Sequence, residues 1–237
     1  MALIESEKIL QIRCSSSLQG SKALSCDRSN VTLKESNDPT SNTVAGAKFK
    51  MLSSKSTSQV YKRARQTGAL SLVGLELHVF PIEVCTLHAH YEADEKIWEN
   101  VELAKIDMSH NNIDSLPSEL ALLKDHLTYL KLSQNRLCTI DFFSLCNLVF
   151  LDLSHNALTG TLPSEMDQFQ QLKELDVSYN QLTAFQSIPD SLEHLNFQHN
   201  VISSLPETLA HCVHLRTLKG ASNRLTALPA LNGCARL

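Results

Sequence analysis

Residues 148–158 read LVFLDLSHNAL and fit the frame L-x-x-L-x-L-x-x-N-x-L, in which aliphatic residues recur at fixed places around one asparagine. Six copies of this frame follow one another, and their asparagines return every 20 to 24 residues. The copies are residues 103–113, 127–137, 148–158, 172–182, 192–202 and 215–225. Repetition at such a period predicts a solenoid, in which each repeat forms one coil and neighbouring coils complete a shared core.

The alternation x-L-x-L-x inside each copy is typical of a short β-strand with its leucines directed inward. Stacked coils would place these strands side by side in a parallel sheet. At the asparagine the chain leaves the strand, and each backbone group left unpaired near the core would cost about 1–3 kcal/mol. A carboxamide both donates and accepts hydrogen bonds, so we predict a structural asparagine ladder. Its members are Asn111, Asn135, Asn156, Asn180, Asn200 and Asn223.

The return half of several repeats carries a Leu-Pro pair, whose proline lies six or seven residues after the asparagine. Because proline fixes φ and donates no backbone hydrogen bond, we expect the convex side to begin there with a 3₁₀ or short α turn. The shortest repeat, 172–191, is expected to run nearly extended on that side. The frame and period are those of leucine-rich repeats, so the predicted fold is an α/β solenoid, a leucine-rich repeat horseshoe with a parallel concave β-sheet.

A degenerate coil precedes the six full repeats, since residues 68–77 fit the frame with Leu75 in the asparagine position. Residues 57–67 before it are predicted to form an amphipathic capping helix, begun by Ser58 and ended by Gly68. The basic cluster of this helix is expected to lie in water, although a nuclear signal or a nucleic-acid contact is the alternative. Its apolar face is Val60, Tyr61 and Ala64, and its basic cluster is Lys62, Arg63 and Arg65.

Composition divides the chain into three parts. Residues 1–56 are rich in serine and poor in large apolar side chains, so we predict a disordered tail. Residues 57–102 hold the capping helix, the degenerate coil and an insertion, 86–102, that contains Trp98. Residues 103–237 hold the repeats. Leu237 falls where the next repeat would begin, so we expect the repeat array to be truncated there.

The segment before the repeats carries a family resemblance. Residues 64–72 (ARQTGALSL), 80–84 (FPIEV) and 97–103 (IWENVEL) resemble the start of leucine-rich repeat-containing protein 40 and the intracellular Ras-group-like repeat proteins. That family has A-R-x-S-G-x-L-x-L, then a proline, then W-W-E-x-x-x-L, and Ile97 replaces one of its tryptophans. The resemblance covers about residues 57–237. It implies a cytoplasmic or nuclear interaction protein without known catalysis, and it carries over no active-site residues.

Charge and cysteine usage bear on partners and compartment. Residues 1–68 carry a formal charge of +6 and residues 69–237 a charge of −10. An acidic body repels phosphate, so we predict no nucleic-acid partner. No apolar run approaches the roughly 20 residues of a membrane span, and Glu5 and Glu7 stand where a secretory signal needs basic residues. Seven scattered cysteines with no C-x-x-C pair favour a reducing compartment, so we expect a cytoplasmic protein, with a nuclear location possible.

Motifs of catalysis and ligand binding are missing from the sequence. It contains no GxGxxG, Walker A, GxSxG, HExxH or EF-hand pattern, so we predict a chain that is not an enzyme and needs no cofactor. Cys85, His88, His90 and Asp94 could offer metal ligands, but the second close pair of a zinc site is missing. We therefore expect no metal site.

The outward strand positions supply the candidate binding surface. In the predicted sheet Tyr129 and Phe150 lie side by side among charged residues, and exposed aromatic residues beside charges are typical of interaction hot spots. The next column, Ser109, Ser133, Ser154 and Ser178, is expected to project into solvent and let a partner approach closely. The predicted partner-binding residues are Tyr129, Lys131, Phe150, Asp152, Glu174, Asp176 and Tyr179.

These features favour a non-catalytic interaction module, or scaffold, that binds a protein or peptide on its concave face. The alternative is the regulatory repeat region of a larger signalling enzyme, kinase- or GTPase-linked, lost by truncation. Self-association through an uncapped last coil is a further expectation, because that coil would expose aliphatic side chains. These are Leu218, Leu225, Leu228 and Leu231.

Overall fold

The computed structural model describes residues 54–89, 100–140 and 145–237. Helix α1 (Ser54–Thr67) precedes the strands. In chain order these are β1 (Ala69–Ser71), β2 (Lys105–Asp107), β3 (Tyr129–Lys131), β4 (Phe150–Asp152), β5 (Thr159–Leu162), β6 (Glu174–Asp176), β7 (Gln181–Phe185), β8 (His194–Asn196) and β9 (Thr217–Lys219).

Seven of these strands form one parallel sheet in the order β1-β2-β3-β4-β6-β8-β9. Each coil contributes one three-residue strand, the first from the degenerate coil and six from the full repeats. The middle residue of each strand faces the core, where Ile106, Leu130 and Leu151 are completely buried. The predicted solenoid of six repeats behind a degenerate coil is therefore confirmed.

The asparagine at the end of each strand joins two coils. The Asn156 Oδ1 atom accepts a hydrogen bond from the Leu137 amide of the preceding coil at 3.0 Å. Its Nδ2 group donates to the Leu132 carbonyl of that coil and to the Leu153 carbonyl of its own coil, both at 3.0 Å. The same three contacts recur at Asn135, Asn180, Asn200 and Asn223. Each carboxamide thus satisfies backbone groups that the turn leaves near the core.

The first full coil attaches to the degenerate one by a variation of this pattern. Because Leu75 occupies the asparagine position of the degenerate coil, that coil has no carboxamide of its own there. Asn111 compensates: its Oδ1 atom accepts from the Leu75 and Leu77 amides, and its Nδ2 group donates to the Leu72 carbonyl at 2.8 Å. One side chain therefore satisfies three backbone groups of the degenerate coil.

The residue before each asparagine adopts a left-handed backbone conformation. Its φ angle is 54° to 59° in all six full repeats, and Gly74 takes the place in the degenerate coil with φ 68°. For a residue with a side chain this conformation costs about 1–2 kcal/mol, so the hydrogen bonds of the following carboxamide must hold it. The left-handed conformation could not be predicted from the sequence, because no full repeat has a glycine at this position. Its occupants are His110, Gln134, His155, Tyr179, His199 and Ser222.

The convex side begins at proline, as predicted. The 3₁₀ helices Ile82–Ala89, Ser118–Leu123, Ser164–Gln168 and Glu207–His211 each start directly after a proline. On this side of the short repeat, residues 187–189 form neither helix nor strand. Just before the convex side, β7 of the short repeat pairs in parallel with β5 of the preceding repeat in a second, two-stranded sheet. Strand β5 was not anticipated, and in the part of the chain that the structure describes no helix follows Pro229.

Helix α1 differs from its predicted form in two respects. It begins at Ser54, so Ser58 lies inside the helix and is not its N-cap. Arg65 was expected in water but is only 4% exposed, because it follows Ala64 on the side that packs on the solenoid. Gly68 ends the helix with φ 66°, and a Cβ atom there would lie 2.7 Å from the Glu102 carbonyl.

Three sequence expectations concern the ends and the insertion. Most of the predicted disordered tail, and Trp98 in the insertion, lie outside the described residues. At the other end, Leu225 is buried, contrary to expectation, because it joins the core together with Cys234. Leu218 and Leu231 are half-buried, and Leu228 is exposed as expected.

Replacing Asn156 with alanine is expected to lower the free energy of unfolding by about 1–3 kcal/mol, because three backbone groups lose their partner. Urea unfolding followed by circular dichroism measures this change. Asn112→Ala is the matched control, since the Asn112 side chain makes no hydrogen bond with any described residue. An unchanged unfolding midpoint for Asn156→Ala would contradict the ladder.

Burial raises the pKa of the Cys85 thiol to about 11 and that of the Cys212 thiol to about 12, with smaller contributions from Glu119 and Asp190 respectively. The thiolate is the reactive form, so both should react with N-ethylmaleimide at pH 7.5 at least about 100-fold more slowly than exposed Cys146. Peptide-resolved mass spectrometry of a labelling time course measures the three rates. Equal rates in the folded protein would show that these thiols are accessible.

Candidate interaction surface

The candidate surface is the concave face, defined as the outward side chains of the seven-stranded sheet. The pairing register aligns these side chains in two columns that run across the strands. The first column is Ala69, Lys105, Tyr129, Phe150, Glu174, His194 and Thr217. The second column is Ser71, Asp107, Lys131, Asp152, Asp176, Asn196 and Lys219. Six of the seven predicted partner-binding residues lie in these columns.

Tyr129 and Phe150 form an aromatic stack at the middle of the concave face. Their ring centroids lie 4.2 Å apart with an angle of 5° between the ring planes, and both side chains are half-buried. Adjacent parallel strands bring the two rings to this distance without distortion. Partial burial raises the pKa of the Tyr129 hydroxyl, and the carboxylates of Asp107, Asp152 and Glu174 raise it further. The hydroxyl therefore stays protonated at neutral pH and can donate a hydrogen bond to a ligand.

The aspartates of the second column are fixed by serines two residues later. The Asp152 Oδ1 atom accepts hydrogen bonds from the Ser154 amide at 2.9 Å and the Ser154 hydroxyl at 2.7 Å. Asp176 holds Ser178, and Asp107 holds Ser109, in the same way. The expectation that the serine column projects into solvent is therefore wrong: Ser109, Ser133, Ser154 and Ser178 are buried, since the chain turns inward just after the three-residue strand.

The carboxylates differ in how much capacity remains for a ligand. The second oxygen of Asp176 accepts from the Asn196 Nδ2 group at 2.8 Å, and that of Asp152 lies 3.9 Å from the Lys131 ammonium. Glu174 is exposed and makes no hydrogen bond or ion pair with any described residue. Glu174 is thus the carboxylate of this face most available to a partner.

Two cavities lie on the concave face, one on each side of the aromatic stack. The first cavity, about 360 Å³, is bordered by Phe150, Asp152, Glu174, Asp176, His194 and Lys219. The second cavity, about 510 Å³, lies between helix α1 and strands β1 to β3, and is bordered by Val60, Arg63, Lys105, Asp107 and Tyr129. Arg63 and Lys105 are not among the predicted site residues, because the packing of α1 beside the sheet cannot be deduced from the repeat frame.

Tyr179, the seventh predicted residue, lies apart from the two columns. It occupies the left-handed position before Asn180, where its ring stacks between His155 and His199 with centroid distances of 4.0 and 4.2 Å. It borders neither cavity. The three rings stack because each occupies the left-handed position before the asparagine in successive coils. This stack can be deduced from the sequence only once the conformation at that position is known.

The histidines and cysteines of the described residues form no group of three that could hold a metal ion. His88 lies 3.3 Å from the Glu102 carboxylate, whereas His90 and Asp94 lie outside the described residues. In the same part of the chain, no helix has the length and apolar character needed to cross a membrane.

The chain is similar to several known repeat proteins. One leucine rich repeat family model matches residues 101–158, and another matches 171–195 and 191–212. Podocan-like protein 1 of Mus musculus is 32% identical over 157 residues, which cover 63% of this chain and 27% of that protein. Adenylate cyclase of Schizosaccharomyces pombe is 31% identical over 144 residues, 57% of this chain and 8% of that protein.

Among solved structures, the plant peptide hormone receptor RGFR1 in complex with RGF2 aligns with a TM-score of 0.52 and 27% identity. The alignment covers 71% of this chain and 26% of the receptor. The chain therefore contains leucine-rich repeats and has the leucine-rich repeat solenoid fold, and it spans less than a third of the length of each of these relatives.

The hydrogen bonds predict different roles for two neighbouring carboxylates. Asp176→Ala should lower the free energy of unfolding by about 1–3 kcal/mol, because Ser178 and Asn196 lose their acceptor. Glu174→Ala on the same strand should change it by less than about 0.5 kcal/mol. Thermal and urea unfolding of the two variants make the comparison. Equal losses would mean that the Asp176 contacts do not stabilise the fold.

Proposed function

We propose that this chain is a non-catalytic interaction module, or scaffold, that binds a protein or peptide through its concave face. The observation that carries the proposal is the Tyr129–Phe150 stack, which lies half-exposed at the middle of the concave face, between the two cavities. Aromatic residues are enriched among the interface positions that contribute most to binding, and here they lie between charged neighbours that can orient a partner.

Two further findings support the proposal. The structurally similar protein RGFR1 is a plant peptide hormone receptor whose structure was solved in complex with RGF2, and this similarity supports peptide recognition by the present chain. Glu174, Arg63 and Lys105 are exposed and form no ion pair with the described residues, so they can engage a partner without first breaking an internal contact. Nucleic acid is not the proposed partner, because carboxylates line one end of the face.

A second candidate is the regulatory repeat region of a larger signalling enzyme, kinase- or GTPase-linked. The similarity to adenylate cyclase favours it, since the matched repeats make up only 8% of that protein. The continuation of the reading frame beyond Leu237 separates the two candidates: further repeats favour the module, and a catalytic domain favours the enzyme.

We also propose that the protein works inside the cell, in the cytoplasm or the nucleus, and that it is related to leucine-rich repeat-containing protein 40 and the Ras-group-like repeat proteins. The cysteine pattern and residues 64–72 support this proposal. Fluorescence microscopy of the full chain with a C-terminal tag tests the location, and a signal confined to the secretory pathway would contradict it.

Substitutions in the aromatic stack test the interaction function. Once a partner has been identified by affinity capture and mass spectrometry, Tyr129→Ala and Phe150→Ala should each weaken its binding by about 1–3 kcal/mol. Both variants should keep the circular dichroism spectrum of the parent, because the two side chains project away from the leucine core. Isothermal titration calorimetry measures the affinities.

The matched control is Glu165→Lys in the convex 3₁₀ helix Ser164–Gln168, which should leave the affinity unchanged. The proposal fails if this convex substitution abolishes binding while the double substitution Tyr129→Ala, Phe150→Ala leaves binding intact.

A further inference from the structure

The aromatic stack separates two cavities of opposite charge. Tyr129 borders the cavity beside helix α1, and Phe150 borders the cavity over strands β4 to β9, so the two stacked rings form the wall between them. A ligand long enough to contact both cavities must therefore cross the edges of these rings. This arrangement places an aromatic platform between two cavities that each carry charged side chains.

The cavity beside α1, which we name the basic cavity, presents Arg63 from the helix and Lys105 from β2. Neither side chain forms an ion pair with a described residue. Its single carboxylate, Asp107, has one oxygen already engaged by the amide and hydroxyl of Ser109. The basic cavity therefore offers two available cations to an anionic group.

The other cavity, which we name the acidic cavity, presents Asp152, Glu174 and Asp176 around the outer face of the Phe150 ring. Lys131 lies 3.9 Å from Asp152 and offsets part of its charge, and Lys219 borders the far end. Glu174 adjoins Phe150 in the strand register and has no partner among the described residues. A carboxylate beside an aromatic face suits a guanidinium or ammonium group, which is attracted by both.

We propose that the concave face binds an extended peptide segment that carries one carboxylate and one lysine or arginine about four residues apart. This proposal rests on the proposed interaction function and specifies its ligand. The carboxylate enters the basic cavity, the cation enters the acidic cavity, and the residues between them cross the Tyr129–Phe150 stack.

The spacing follows from the sheet. Lys105 and Glu174 lie in the same column, on β2 and β6, which are three strand positions apart. Neighbouring strands are about 4.8 Å apart, so the two side chains are separated by about 14 Å along the face. An extended peptide rises about 3.3 Å per residue, and four residues therefore span this distance.

The same charges disfavour partners with a single sign of charge. A nucleic acid would place phosphates against Glu174 and Asp176, and a wholly cationic segment would place a cation against Arg63 and Lys105. A segment with one charge of each sign satisfies both cavities. Charge complementarity therefore selects an acid–base pair of fixed spacing within the peptide.

Selection from a phage-displayed library of random 12-residue peptides, with the full chain immobilised, tests the proposal. Enriched peptides should share an acidic residue and a lysine or arginine separated by three intervening residues. A synthetic peptide with the enriched sequence should lose at least about tenfold in affinity for Glu174→Lys, and replacing its basic residue with glutamate should restore binding to that variant.

The double variant Arg63→Glu, Lys105→Glu should bind the same peptide at least about tenfold more weakly. Replacing the acidic residue of the peptide with lysine should restore binding to this variant. Glu165→Lys on the convex side serves as the control and should select the same peptides as the parent. Peptides that lack the charge pair but are lost with Tyr129→Ala would overturn this inference and leave the interaction function standing. A selection that yields no peptide sensitive to Tyr129→Ala or Phe150→Ala would overturn both.

Discussion

Each coil of this protein leaves the sheet after only three strand residues, and the backbone at that point passes through a left-handed residue that is not glycine in any full repeat. Such a turn is costly and leaves amide and carbonyl groups facing the core. The asparagine carboxamide that follows satisfies groups of its own coil and of the coil before it. The strand register, and hence every column on the concave face, depends on this contact.

The concave face is shaped by that register in two ways. It aligns side chains of neighbouring repeats so closely that Tyr129 and Phe150 stack at 4.2 Å and three turn residues stack around Tyr179. It also fixes Asp107, Asp152 and Asp176 against serines that lie two residues further on. Some of the acidic residues on this face are therefore partly structural, and the charges most available to a partner are those without internal contacts.

Helix α1 adds a part of the surface that the repeats alone would not provide. It packs its apolar side on the first coil, ends at Gly68 where the Glu102 carbonyl approaches closely, and presents Arg63 beside Lys105. The helix therefore caps the core and also gives the first end of the concave face a basic character. The opposite character of the two cavities arises from this packing together with the carboxylates of β4 and β6.

The sequence by itself determined the repeat architecture, the positions of the concave strands, the prolines that start the convex 3₁₀ helices and the pairing of Tyr129 with Phe150. These features follow from local periodicity, because each coil repeats the same short pattern and stacking converts sequence spacing into spatial alignment. Only the tertiary structure decided the burial of the serine column and of Arg65, the ring stack around Tyr179, and the cavity beside α1. Those features depend on the turn conformation and on how segments distant in sequence, such as α1 and β3, are placed around one cavity. The repeat frame contains no signal for either.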